Sequence, residues 1–270
     1  MKKLNLPILG LDSKSCILRK LGFWVSQKPG FLKKPGFSMA ILALGMLALG
    51  IFTIFINIQS QPATATDGLP PLKVHPLPAS LARWGDETGD YFEEGEATEV
   101  GYLIWSQFPI AVYIEPPQND GDSREWVETV TAAVREWDAY LPLEMVGEES
   151  EADIVIINKR PPISLDNLRA RSAEARYEFY LQEIDGRQIL AHRFVIWLSP
   201  MQRGKYLPAA ARHEFGHALG IWGHSLEDTD VMYYSQVGEP PPISVRDINT
   251  LKRVYQQPTR VGWEFGGEFN

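Results

Sequence analysis

The sequence predicts an α+β domain, because its elements follow the order strand, helix, strands, helix and helix. Short runs of branched apolar residues, closed by proline or glycine, have the character of strands. Other segments repeat apolar residues at helical spacing. The folded domain is expected to begin near Arg83, occupying residues 83–270.

The first strand is predicted at Ile110–Ile114 (IAVYI), a run closed by two prolines. A helix should follow, because Asp122 with Glu125 three residues later has the form of a capping box. This helix is predicted to continue to about Tyr140. Its buried face carries apolar residues at helical spacing, which are Trp126, Val130, Ala133, Val134 and Trp137.

Four more strands are predicted in the middle of the chain. Leu143–Val146 and Asp153–Ile157 are short apolar runs of strand composition. Tyr177–Ile184 and Gln188–Leu198 lie on either side of Asp185-Gly186, a dipeptide typical of tight hairpin turns. We therefore expect these last two strands to form a β-hairpin.

Two helices complete the predicted domain. The first should open near Pro208, whose missing N–H costs nothing in a first turn. It should end at Gly220, a residue suited to the left-handed conformation that ends helices. The second should open at Ser244 and stop before Pro258. Its inward face is predicted to hold Ile248, Leu251 and Tyr255.

The residues ahead of the domain predict a membrane anchor. Residues 38–58 carry no charged side chain, and these 21 residues match the roughly 20 that a helix needs to cross a bilayer. Residues 1–37 hold eight basic side chains and one acidic one. Positive charge beside a span stays in the cytoplasm, so 1–37 is predicted to be a cytoplasmic tail. Residues 59–270 are then predicted to be extracytoplasmic.

A released protein is the alternative to this single-pass anchor, since Ala63-Thr64-Ala65 has the form of a signal-peptide cleavage site. The apolar run is longer than a cleaved signal usually has, which favours the retained anchor. Residues 59–82 are rich in proline and predict an extended linker that leaves His75 in solvent.

Charge and cysteine content exclude other classes. Of the 26 basic and 34 acidic residues, 18 and 33 lie beyond residue 37, and this acidity argues against nucleic acid as a partner. The single cysteine, Cys16, falls in the predicted cytoplasmic tail, so the outer domain has no disulfide.

The chemistry is predicted by His213-Glu214-Phe215-Gly216-His217. Two histidines four apart share one helix face and can reach one metal ion, and Glu214 projects beside it. Zinc with three protein ligands keeps a position for water, and a carboxylate can take that water's proton. A short motif also arises by chance. Here, however, a glycine, a further histidine and a methionine follow within 15 residues of His217.

The stretch from His213 to His224 (HEFGHALGIWGH), followed by Asp230-Val231-Met232-Tyr233, resembles the metzincin clan of zinc peptidases, and its first part resembles the matrixin family. The resemblance implies a twisted mixed sheet with an active-site helix and a C-terminal helix. It implies Zn²⁺ as the one catalytic ion and a polypeptide as substrate. The zinc ligands would be His213, His217 and His224, Glu214 the general base, Gly220 the turn and Met232 the floor below the metal. The specific part is confined to residues 208–234.

Three departures from the matrixin pattern stand out. The final histidine comes one residue late, after Gly223, which could absorb the extra residue with an unusual backbone angle. Asp228 and Asp230 are therefore alternative third ligands, although His224 is favoured. The cysteine that keeps matrixin precursors latent is missing, and so is the histidine cluster of a structural zinc. His192 is expected to be an ordinary hydrogen-bonded histidine.

Other residues could serve substrate or calcium. The resemblance places Phe194–Ser199 (FVIWLS) as an edge strand that pairs with an extended substrate. Tyr233, Tyr234 and the proline run 240–242 would wall the pocket after the cut. Asp185-Gly186 could line a Ca²⁺ site, but a hairpin turn is the simpler interpretation. Trp222 either covers the zinc or is simply buried, the latter being favoured.

The predicted function is that of a membrane-anchored zinc endopeptidase acting on extracytoplasmic proteins. Two alternatives remain open at this point. One is a non-catalytic binding or scaffold domain that contains zinc, against which the retained Glu214 argues. The other is a zinc hydrolase of non-peptide substrates, which would need a deep closed pocket.

Overall fold

The computed structural model of the chain describes residues 68–118, 123–162 and 171–265. Within these ranges the strands are β1 (Ile110–Ile114), β2 (Leu143–Met145), β3 (Ile154–Ile157), β4 (Ala173–Ile184) and β5 (Arg187–Leu198). The helices are α1 (Ala79–Arg83), α2 (Ser123–Arg135), α3 (Tyr206–Leu219) and α4 (Val245–Tyr255). This mixed content agrees with the predicted α+β class.

The predicted elements are confirmed, with shifts at their ends. α2 stops at Arg135 and continues only as the 3₁₀ turn Glu136–Ala139, short of the predicted Tyr140. α3 opens two residues ahead of Pro208, which still lies in the first turn, where an N–H has no helical partner. Ser244 caps α4 and exchanges hydrogen bonds with Asp247 in a capping box.

The five strands form one sheet in the order β2-β1-β3-β5-β4. β1 pairs in parallel with β2 and β3, and β3 pairs in parallel with β5. Parallel neighbours cannot be joined by a tight turn, so α2 provides the crossover from β1 to β2. β4 and β5 are antiparallel around Asp185-Gly186, and both turn residues have positive φ, as a type I′ hairpin requires.

The predicted role of Phe194–Ser199 as an edge strand is wrong. β5 is internal, because Phe194 is paired with Ile154 of β3 on one side and with Tyr177 of β4 on the other. The described residues place no strand beyond β4, so β4 is the edge on this side. The edge role was inferred from the family resemblance, and neither that resemblance nor the pattern of one strand specifies which neighbours flank it in this sheet.

The folded body begins earlier than the predicted Arg83. Leu69 and Leu81 are buried in the core, and Lys73 forms an antiparallel bridge with Thr259. His75 is not in solvent: its Nε2 lies 2.8 Å from the Val261 carbonyl, and its ring stacks on Trp263 at 4.1 Å. These contacts join residues about 190 positions apart, so the local proline-rich composition could not reveal them.

Several sequence predictions lie outside the described residues. These are the tail 1–37, Cys16, the span 38–58, residues 59–67 of the linker and the capping residue Asp122. No helix in the described ranges has the length and hydrophobicity needed to cross a membrane.

Candidate metal centre

α3 places the first two predicted ligands side by side. His213 and His217 are one helical turn apart, and their ring centroids are 4.9 Å apart with the rings nearly perpendicular. His217 is buried, while His213 is partly accessible from a cavity beside the helix. The four-residue spacing on one helix is therefore enough to place these two imidazole rings next to each other.

Gly220 ends the helix as predicted and turns the chain back towards it. Its φ is 125°, a value that favours glycine, and a Cβ there would lie 2.5 Å from the Leu103 carbonyl oxygen. After this turn His224 returns to the two helical histidines. Its ring centroid lies 5.3 Å from that of His213 and 4.8 Å from that of His217.

The extra residue ahead of His224 is accommodated differently from the prediction. Gly223 does not have positive φ, so no unusual backbone angle is involved. It instead forms an antiparallel bridge with Gly95, where a Cβ would lie 2.5 Å from the Glu94 carbonyl oxygen. The Glu96 N–H also donates to the Trp222 carbonyl at 2.9 Å. A segment 130 residues upstream therefore holds the loop that carries His224.

The three imidazoles together form a potential metal site. The nitrogen atoms available as ligands from His213, His217 and His224 all lie within 4.8 Å of one another. In the described residues no other histidine, cysteine, aspartate or glutamate belongs to this group. These three side chains are the ones that the sequence predicted.

Hydrogen bonds orient two of these rings for metal binding. His213 Nδ1 lies 2.8 Å from the Val231 carbonyl oxygen, and His217 Nδ1 lies 2.7 Å from the Ile221 carbonyl oxygen. A carbonyl can only accept, so both Nδ1 atoms carry the proton and both Nε2 atoms keep a lone pair. This is the arrangement in which histidines bind zinc through one nitrogen and are held by the other.

All three histidines are held in the neutral form that metal binding requires. Burial lowers the pKa of His213 and lowers that of His217 well below its usual value. Burial, followed by the repulsion that a protonated His213 would exert, lowers the pKa of His224 to about 3. At neutral pH the site is therefore three uncharged nitrogen donors, a set that suits zinc among the common divalent ions.

Glu214 lies between α3 and the edge strand β4. The backbone of Ala175 on β4 hydrogen-bonds to its carboxyl group, and Glu214 lines the same cavity as His213. Burial raises the pKa of Glu214 to about 8, and Glu174 adds to this, whereas the Ala175 hydrogen bond and Arg171 oppose it. A bound cation beside this carboxyl would lower its pKa again.

Met232 packs beside Gly216 of α3, and Trp222 packs against His217. Met232 is fully buried against α3, and its backbone carbonyl accepts from the N–H of Ser225, the residue after His224. Trp222 is buried as predicted, with its ring edge-on to His217 at 5.6 Å. Both residues close apolar faces of the site to water.

The two alternative ligands of the sequence prediction are placed elsewhere. Asp230 is fully buried and accepts hydrogen bonds from Ser225 Oγ at 2.5 Å, Ser244 Oγ at 2.7 Å and Arg246 Nε at 2.9 Å. The Asp230 oxygens therefore hydrogen-bond to the loop after His224 and to the start of α4, and they do not join the histidine group. Asp228 is exposed and does not join the histidine group.

A cavity of about 200 Å³ opens beside His213 and Glu214. Its walls include residues that the sequence proposed for a substrate pocket, namely Tyr233, Tyr234, Pro240 and Pro241. Ala173 of β4 lines the opposite side. The cavity is partly open to solvent, whereas a hydrolase of small molecules was expected to need a deep closed pocket.

The expectation for His192 is wrong. It is buried beneath Trp105, at 4.1 Å between ring centroids, and neither of its ring nitrogens has a hydrogen-bond partner among the described residues. Burial lowers the pKa of His192 to about 3, so the ring is neutral and packs as an aromatic group.

Sequence reasoning missed residues that act through the backbone or at a distance. Ala175 contacts Glu214 with a main-chain group, which no side-chain pattern reveals. Asp247 lies in the predicted start of the last helix, yet its carboxylate also accepts from the backbone N–H groups of Val231 and Met232. The available signal was the position of Asp247 three residues after Ser244, as in a capping box. A capping box explains only the hydrogen bonds between Asp247 and Ser244.

Comparison with protein-family models finds no match to this chain, and comparison with curated proteins finds none either. The described residues thus define a candidate metal site of three histidines with a neighbouring carboxyl group. The metzincin resemblance of residues 208–234 remains an expectation drawn from the motif itself.

Proposed function

We propose that the chain is a zinc-dependent endopeptidase of the metzincin type. The observation that carries the proposal is the convergence of His213, His217 and His224 within 4.8 Å beside the Glu214 carboxyl. Chance could supply the short helical motif, but it would not also return a third histidine to the same point. The donor set fits zinc, because catalytic zinc commonly has three protein ligands and an open position.

Bound at these imidazoles, zinc would supply a water whose pKa is near 7 and polarise a carbonyl group. Glu214 is the base that accepts the proton of the attacking water and delivers it to the departing amide nitrogen. Burial raises the pKa of Glu214 in the metal-free chain, and a zinc ion bound beside it would lower that pKa towards the ionised form that a base requires. The apolar packing of Met232 and Trp222 excludes bulk water from behind the histidines.

An extended polypeptide suits the surroundings of the site. The outer edge of β4 passes Glu214 at Ala175, and main-chain groups on a free strand edge can pair with an extended chain. The cavity walled by Tyr233 and Tyr234 would receive one substrate side chain. We assign this placement to β4 and not to β5, which is enclosed by its neighbours.

The anchor is a separate proposal. The apolar, uncharged residues 38–58 and the basic tail 1–37 support a single-pass protein with its catalytic domain outside the cytoplasm. Detection of the C-terminal end by protease digestion of sealed cells or vesicles tests this orientation. Protection of that end from external protease would contradict it.

The test of function uses the full-length chain purified in detergent without added metal. We expect one zinc per chain and cleavage of casein that a chelator abolishes and added zinc restores. Glu214→Gln is the matched variant, because it keeps the volume and the metal ligands. It should retain zinc and lose at least about 100-fold in rate, as removal of a general base does.

Each departure from this result has a defined meaning. Zinc binding without hydrolysis of any unfolded protein would favour the alternative, a zinc-containing binding or scaffold domain. Equal activity in Glu214→Gln would reject the base assignment. Absence of zinc in the wild-type chain, even after dialysis against it, would reject the proposed site.

A further inference from the structure

A second carboxylate, Asp247, lies behind the metal site at the start of α4. Its side chain is fully buried. Its Oδ2 accepts from the backbone N–H groups of Ser244 at 2.7 Å and Val231 at 3.0 Å. Its Oδ1 accepts from the Tyr91 hydroxyl at 2.5 Å and from the Met232 N–H at 3.4 Å.

Every group that faces Asp247 in these bonds is a donor. An ionised carboxylate accepts from all four; three of them are backbone N–H groups, which can only donate, so a protonated carboxyl could donate only to the Tyr91 hydroxyl. Burial raises the pKa of Asp247, and the hydrogen bonds from Tyr91, Ser244 and Val231 oppose this by favouring the charged form. A buried charge is costly unless it is hydrogen-bonded, and the four bonds to Asp247 offset this cost.

The Met232 N–H and the Val231 carbonyl belong to the same peptide unit. This carbonyl accepts the Nδ1 proton of His213 at 2.8 Å. One peptide group thus receives a hydrogen bond from the ligand histidine at one end and donates one to Asp247 at the other. The Val231 N–H, on the preceding peptide, is held by the same carboxylate.

Hydrogen bonds in such a chain polarise one another. A negative charge on the N–H side makes the carbonyl a stronger acceptor, and a stronger acceptor on Nδ1 makes Nε2 a better metal donor. In many zinc sites a carboxylate touches the ligand histidine directly. Here the carboxylate would act through one peptide bond.

We propose that Asp247 is a positioning residue of the metal centre. It orients His213 and strengthens it as a ligand through the Val231–Met232 peptide. The Tyr91 hydroxyl holds the Asp247 carboxylate in place. The inference rests on the proposed function only in taking His213 as a metal ligand. It does not depend on hydrolysis.

Two variants of the full-length chain test this role, and a third is the control. Asp247→Asn removes the charge and turns one acceptor into a donor at similar volume. Tyr91→Phe leaves Asp247 in place and removes one of its donors, a milder change that keeps the test valid if Asp247→Asn folds poorly. Tyr255→Phe is the matched control, since that buried hydroxyl on the same helix donates to the Leu219 carbonyl at 3.1 Å and not to this network.

Zinc affinity is measured by competition with a chromophoric chelator, and the fraction of folded protein by the thermal transition of the metal-free chain. Asp247→Asn should lower zinc affinity by about 10- to 100-fold, the usual effect of losing a group behind a ligand histidine. Tyr91→Phe should lower it less, in the same direction. Tyr255→Phe should destabilise the fold and leave the affinity of the folded protein unchanged.

Two spectra distinguish positioning from a purely structural role. The visible bands of the cobalt-substituted protein should shift in Asp247→Asn and Tyr91→Phe and not in Tyr255→Phe. The His213 Nδ1–H proton should move upfield in the NMR spectrum of the zinc-bound Asp247→Asn protein, because its hydrogen bond is weaker.

Folded Asp247→Asn and Tyr91→Phe proteins with wild-type zinc affinity and wild-type cobalt spectra would overturn the proposal. A wild-type chain that binds zinc but cleaves nothing would defeat the endopeptidase function and leave this inference standing if the affinities differ as stated. A wild-type chain that binds no zinc would overturn both.

Discussion

The side chain of Met232 packs directly against the backbone of Gly216, between the two histidines of α3. A Cβ added to Gly216 would overlap Met232 Sδ and lie 3.3 Å from its Cε and 3.2 Å from Trp137 Cζ2. Met232 and Trp137 are both fully buried, so neither can move freely away. The close approach of the Met232 side chain therefore explains why a glycine stands at position 216 of the HEFGH motif.

Gly216→Ala should destabilise the chain although alanine is the better helix former. Overpacking of an enclosed site costs about 1–3 kcal/mol, against roughly 1 kcal/mol gained in helix propensity. Urea unfolding of the zinc-free protein measures the difference. Met232→Ala in the same chain should relieve the overlap, so that the double variant loses less than the sum of the two single variants. Strictly additive losses would show that the two residues do not compete for space.

Gly223→Ala should displace the loop that carries His224. The new methyl group would meet the Glu94 carbonyl and Gly95 Cα, which are backbone atoms and cannot rotate away. We expect a clear loss of zinc affinity, with the helical ligands intact. Gly147→Ala is the control, because a Cβ at Gly147 meets nothing within 4 Å. Equal zinc affinity in both variants would mean that the loop does not depend on this contact.

The variants His224→Ala and Asp230→Asn should have different effects, because His224 is the proposed ligand and Asp230 only supports its loop. His224→Ala removes one of three ligands and should weaken zinc binding by more than about 100-fold, beyond the effect of losing a supporting group. Asp230→Asn should mainly lower the free energy of unfolding, by about 1–3 kcal/mol, because it leaves a buried network around Ser225 and Arg246 incompletely paired. Chelator competition and urea unfolding give the two quantities. A larger loss of zinc affinity in Asp230→Asn would reverse the assignment.

His192 should make the chain sensitive to acid. Its pKa is about 3 in the folded chain, because burial disfavours the charged ring, and about 6.5 in the unfolded chain. A lowered pKa contributes stability that is present above pH 6.5 and is lost progressively as the pH falls towards 3. His192→Phe keeps a ring beside Trp105 and removes the titration, so its thermal transition should fall less than that of the wild type between pH 6.5 and 4.5. Parallel curves for the two proteins would argue against a buried neutral histidine.

Local patterns predicted most of the secondary structure for physical reasons that act within a few residues. The hairpin of β4 and β5 follows from Asp185-Gly186, which adopts positive φ at little cost. The ends of α3 follow from Pro208 and Gly220. The buried face of α2 follows from the 3.6-residue repeat. The capping of α4 at Ser244 is equally local.

Predictions failed where distant segments meet. The exposed linker and the hydrogen-bonded His192 were argued from neighbours in the chain, and the edge role of Phe194–Ser199 was inferred from the family resemblance. In the folded molecule the linker packs on residues near Thr259, Phe194–Ser199 lies inside the sheet, and His192 is enclosed by Trp105. Periodicity along one segment does not report on such partners, whose separation ranges from 17 positions for Tyr177 and Phe194 to 186 positions for His75 and Val261.

The sequence by itself determined that His213 and His217 share one face of a helix that ends at Gly220, because helical geometry and the freedom of glycine act locally. Only the tertiary structure decided how His224 reaches them, since its loop is held by the bridge between Gly223 and Gly95. Only the tertiary structure also brought Asp247 to the Val231–Met232 peptide and Ala175 to Glu214. These contacts depend on how whole helices and strands pack together, and no short sequence motif specifies that packing.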